Sequence, residues 1–119
     1  MAVSLRRARL TVFVVLLTLV AVAHAVAEPR LVELAIHNGR LPEDQRVVRV
    51  QQGDDVTLRW TTDQPLTLHL HGYDIEETLA PGTPAAMRFT ARATGRFPIE
   101  AHDARGAKRT IGYLEVHPR

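Results

Sequence analysis

The stretch Leu66-Thr67-Leu68-His69-Leu70-His71-Gly72-Tyr73-Asp74 alternates apolar and polar residues as far as Gly72. A period of two marks a strand with one face buried. Leu66, Leu68 and Leu70 fall on one face; Thr67, His69, His71 and Tyr73 fall on the other. The strand rise sets alternate residues roughly 6–7 Å apart. His69 and His71 therefore point the same way, at a spacing that lets two imidazoles approach one metal ion. Gly72 breaks the strand where the rim of a sheet would lie.

The same alternation recurs on both sides of this stretch. Val32, Leu34 and Ile36 form one apolar face, as do Val48 with Val50, and Val56 with Leu58 and Trp60. Met87 with Phe89, Phe97 with Ile99 and Ala101, and Leu114 with Val116 repeat the pattern. Turn signals punctuate the runs: Asn38-Gly39, Gly53-Asp54, Asp63-Gln64-Pro65, Pro81-Gly82 and Thr94-Gly95. The His-x-His strand reads as running on through Ile75 to Thr78. No amphipathic helix stands out beyond the N-terminal apolar segment. The expectation is an all-β, antiparallel sandwich or barrel of seven to eight strands.

Residues 1–27 read as a secretory signal peptide, and residues 28–119 as one domain. Arg6, Arg7 and Arg9 precede an apolar run, and two small-x-small sites follow at Ala23-His24-Ala25 and Ala25-Val26-Ala27. The alternative is an uncleaved anchor, since Leu10 to Ala27 is at the short end for a membrane span. The expected address is periplasmic or secreted. The whole chain has 15 Lys+Arg and 13 Asp+Glu. Without the three signal arginines, 12 basic groups face 13 acidic ones, so the remaining domain is near neutral. No basic stripe argues for nucleic acid; Arg105, Lys108 and Arg109 alone do not make one. The chain has no cysteine, which excludes disulfides, thiolate metal sites, thiol catalysis and covalent haem attachment.

Three segments together resemble the cupredoxin family. They are Val48–Trp60 ("VRVQQGDDVTLRW"), His69–Asp74 ("HLHGYD") and Ala93–Val116 ("ATGRFPIEAHDARGAKRTIGYLEV"). The resemblance implies a Greek-key β-sandwich. It places His71 at the family's first copper-ligand position and Ala101 where the family carries its cysteine. Type 1 copper needs a thiolate, two imidazoles and a weak axial ligand. The loop Asp103–Lys108 supplies neither His nor Met, so no type 1 (blue) copper site and no electron transfer are expected.

Five histidines remain in the domain: His37, His69, His71, His102 and His117. The candidate metal set is His69, His71 and His102, with copper or another divalent ion as the expected cofactor. Glu100 and Asp103 are placed to add an oxygen donor or orient an imidazole. Parity argues against a site at the family's position. Ala101 points inward with Phe97 and Ile99, so His102 points outward, and only one of His69 and His71 reaches the rim unless the strand bends. The alternative for each histidine is a solvated polar residue. Asp54-Asp55 reads as turn chemistry, and Asp74, Glu76 and Glu77 as a solvated acidic loop. No nucleophile, phosphate loop or acid–base pair calls for catalysis. Two functions follow. One is a non-catalytic exported module that binds a metal ion. The other is a metal-free scaffold that binds another exported protein.

Overall fold

The computed structural model describes residues 27–119, together with Ala21. The segment read as a signal peptide otherwise lies outside the described residues. Eight strands form two sheets: β1 (Pro29–Ile36), β2 (Val47–Gln51), β3 (Asp55–Thr62), β4 (Leu66–Leu70), β5 (Ile75–Leu79), β6 (Ala85–Thr90), β7 (Gly95–Asp103) and β8 (Lys108–His117). The smaller sheet has the order β1-β3-β6 and the larger β2-β8-β7-β4-β5. The only helical turn among the described residues is a 3-10 turn at Glu43–Gln45. No helix among the described residues is long and apolar enough to cross a membrane.

The architecture is a Greek-key sandwich, but its sheets are mixed rather than antiparallel. β1 pairs with β3 in parallel, and β2 with β8 in parallel. The cause is the route of the chain. β2 lies in the opposite sheet from β1 and β3, so the chain crosses over and back, and β1 and β3 run the same way. Alternation reads faces, and it carries no information about strand direction.

The apolar faces meet between the sheets. Leu34, Ile36, Val56, Leu58, Trp60, Leu68, Leu70, Met87, Ile99 and Leu114 are almost wholly buried. Each large side chain among them contributes about 1.5–3 kcal/mol by leaving water. Trp60 fills the centre with its indole N–H unpartnered among the described residues, a cost set against the large apolar area of its ring.

The His-x-His strand stops earlier than its alternation suggests. β4 ends at Leu70, and β5 returns beside it, with Leu70 opposite Ile75 and Leu66 opposite Leu79. Gly72 (φ +84°) and Asp74 (φ +57°) make the reversal in left-handed conformations that glycine and aspartate tolerate best. The bend swings Tyr73 off the histidine face. Its ring packs edge-on against Phe97 at 5.0 Å and at a tilt against Phe89 at 4.8 Å. Its hydroxyl donates to the Ala93 carbonyl at 2.9 Å and accepts the Ala93 N–H at 3.2 Å. A Cβ on Gly72 would stand 2.3 Å from Phe97 Cδ1.

Asp54 does more than turn the chain. Its carboxylate is completely buried and accepts the Gln51 N–H at 2.9 Å, Arg30 Nε at 3.4 Å and an Arg119 guanidinium nitrogen. Burial alone would raise this carboxyl. The Gln51 N–H, then Arg119 and Arg30, outweigh burial and hold it below its ordinary value of 3.8.

Two outcomes are expected. Gly72→Ala costs about 1–3 kcal/mol through strain and collision. Gly82→Ala, where φ is +76° but space is open, costs only the strain; equal losses in urea melts would contradict the Phe97 contact. Asp54→Asn costs about 1–3 kcal/mol at neutral pH. Because the folded-state value is depressed, the carboxylate's contribution is complete above 3.8 and is lost as pH falls through the folded value. Acid melts of wild type should show this loss, and Asp54→Asn should lack that component.

Candidate functional site

The candidate histidines gather on the solvent face of the larger sheet. Leu66, Leu68 and Leu70 of β4 are buried inward, so Thr67 and His69 point outward, and His71 follows at the turn. On one side of β4, β7 sets Glu100 opposite His69 and His102 opposite Thr67. On the other, β5 sets Glu76 opposite His69. Ala101 is buried, and His102 is only partly so. The expected parity holds: His102 is outside and Ala101 inside.

Glu100 organises this face. Its Oε1 lies 2.7 Å from His102 Nε2, and its Oε2 lies 3.8 Å from His71 Nε2. The His69 and His71 rings tilt against each other with centroids 4.3 Å apart. His69 Nε2 faces Asp74 Oδ1 at 3.6 Å, but that carboxylate is almost fully exposed, where an ion pair contributes little. The His102 hydrogen bond is the main cause that lowers Glu100 below its ordinary 4.5; partial burial works the other way, and the charges of His102, His71 and Lys108 add to the lowering.

The structure therefore joins Glu100 to His71 and His102, and His69 to His71. It does not aim His69, His71 and His102 at one point. Among the described residues no group of three or more His, Cys, Asp or Glu side chains is disposed around a metal position. Asp103 is engaged elsewhere: its Oδ1 accepts the N–H groups of Arg105 and Ala107 at 2.9 and 3.0 Å, closing the β7–β8 turn.

The position that the family resemblance assigns to His71 needs correction. Leu66 pairs with Asp103, and Leu70 with Ile99. The β7–β8 loop therefore lies at the start of β4, beside Gln64 and Leu66, while His71 lies past its far end. Around Ala101 the mouth of the sandwich presents Asn38, Gly39, Gln64, Lys108 and Arg109. Its lining has no thiolate and no imidazole; its one carboxylate, Asp103, is held in the β7–β8 turn and is outnumbered by Lys108 and Arg109. These residues do not fit type 1 copper. Sequence reasoning missed this because alternation assigns faces, whereas the end of a strand at which a residue lies depends on pairing.

These features define a cupredoxin-like β-sandwich without its thiolate. No family model matches the chain, and no curated protein sequence does. Solved structures match its fold. One belongs to a heme-copper terminal oxidase dimer, with 16% identity over 76% of this chain and 65% of that one, and a TM-score of 0.63. Another is a copper binding protein in its apo form, with 9% identity over 79% of this chain and 93% of that one, and a TM-score of 0.61. A multi-copper oxidase from Pseudomonas thermotolerans gives 23% identity over 79% of this chain and 31% of that one, with a TM-score of 0.58. The chain thus spans less than two thirds of both oxidase chains.

The Glu100 arrangement has a direct check. A carboxyl-detected NMR titration should place its midpoint below 4.5. His102→Ala should move that midpoint upward; an unchanged midpoint would assign the shift to another neighbour.

Proposed function

We propose that the protein is an exported, non-catalytic module that binds a divalent copper ion on the outer face of its larger sheet. His71, Glu100 and His102 supply the donors, and His69 stands beside them. The observation that carries this reading is the Glu100 carboxylate between two imidazole Nε2 atoms, one on its own strand β7 and one at the turn that ends β4. Imidazole and carboxylate donors suit Cu(II), with Zn(II) next. A small side-chain rotation at Glu100 would free His102 Nε2 for a metal. The copper proteins among the structural neighbours lend support at the level of fold. With no cysteine in the chain, such a site would store or pass on the ion rather than cycle electrons as blue copper does. The apolar N-terminal segment favours export.

A second reading has its own support. The 2.7 Å bond to Glu100 already satisfies His102 Nε2, so the cluster is complete without an ion. The domain would then be a metal-free scaffold that binds another exported protein.

Titration of the purified protein with Cu(II), followed by electron paramagnetic resonance, separates the two. One equivalent with a nitrogen-ligated, non-blue spectrum is expected. Binding should weaken about tenfold or more in His71→Ala and Glu100→Gln. Weak binding that neither variant changes would leave the scaffold reading.

A further inference from the structure

We propose a second binding site where the β1–β2 connection meets β8: an anion cleft built by Arg40, Arg46 and Arg109 that takes a phosphate monoester. The cleft has a volume of about 290 Å³, with Leu41, Thr110, Ile111, Gly112 and Tyr113 also in its lining. Three guanidiniums on one small concavity would repel one another unless an anion completed them. None has a carboxylate within 4.0 Å among the described residues, although Arg30, Arg49, Arg59, Arg96 and Arg119 all do. Two acids of the neighbouring turns are committed elsewhere, while Glu43 and Asp44, just before Arg46 in the chain, form no ion pair with it. Asp63 accepts the Asn38 N–H through both oxygens, and Asp103 closes its own turn.

The backbone holds the cleft open. Between Ile99 and Glu100 the β7–β8 register shifts, because Thr110 pairs with Glu100 and Gly112 with Ile99. The extra residue, Ile111, turns into the core. Gly112 then lets the Arg46 carbonyl come within 2.7 Å of where a Cβ would stand. Tyr113 N–H donates to that carbonyl at 2.8 Å. Arg46 Nε donates to the Leu41 carbonyl at 3.3 Å, which fixes its stem beside the cleft it lines. Arg96 covers the Tyr113 ring at 4.0 Å. The cations thus sit on a pinned loop and a paired strand.

The chemistry selects the ligand. Guanidinium forks match the oxygens of phosphate, and a monoester carries about −1.5 to −2 charges at neutral pH, the best balance for three cations. The cleft is at the small end of ligand sites, too small for a folded partner. A soluble monoester and the headgroup of phosphatidic acid present the same group.

The test is an amide NMR titration of the full-length, metal-free protein with inorganic phosphate and with glycerol 3-phosphate. Flotation with vesicles of phosphatidylcholine, with and without phosphatidic acid, runs in parallel. Saturable shifts at Arg46 and Thr110–Tyr113 are expected. Arg109→Gln and Arg40→Gln should each weaken binding about tenfold, while Arg88→Gln, an exposed arginine on β6, should leave it unchanged. Binding to glycerol 3-phosphate supports a soluble ligand; flotation only with phosphatidic acid supports the headgroup. Absence of saturable shifts and of flotation overturns the site. So does equal weakening by all three variants, or flotation on phosphatidylcholine alone.

Discussion

A single buried carboxylate ties the two sheets together at one end. Asp54 lies in the turn between β2 of the larger sheet and β3 of the smaller. Its side chain gathers Arg30 from β1 and Arg119 from beyond β8. Its backbone carbonyl accepts the Ala91 N–H after β6, and the Gly53 N–H is bonded to the Ala91 carbonyl. Two cations and an amide keep the charge ionised without water. Uncapped, the charge would be costly there, so β1, the β2–β3 crossing, the segment after β8 and the end of β6 must assemble together.

Against that fixed seam, the two faces of the larger sheet have different work. The inner face is an ordinary apolar core. The outer face carries His69 on β4 and Glu100 and His102 on β7, where β-pleat and register hold their spacing, with His71 at the turn past β4 anchored by its N–H to the Pro98 carbonyl. Burial of Leu68, Leu70, Ile99 and Ala101 underneath prevents these strands from turning over.

Much of this was legible in the residues. Alternation correctly assigned Leu68 and Leu70 inward and His69 outward, and it placed Ala101 and His102 on opposite faces. It failed where left-handed residues bend the chain, so Tyr73 left its expected face and β4 ended early. It was silent on pairing, so the parallel β1–β3 and β2–β8 ladders and the distance between His71 and the β7–β8 loop emerged only from the fold. Asp54 looked like any turn aspartate, because its burial depends on Arg30 and Arg119, which lie 24 and 65 positions away. The exclusion of a type 1 copper site was legible from the residues, since a missing cysteine needs no geometry to interpret.

The β2–β8 ladder also governs when the domain can form. Val47 pairs with Tyr113 and Gln51 with His117, so β2 at the sheet edge has no ladder partner until the last strand exists. Contacts of such separation are closed late and slowly. The larger sheet therefore closes in two stages: β4, β5 and β7 can pair with one another first, and β2 stays an unpaired edge until β8 is in place.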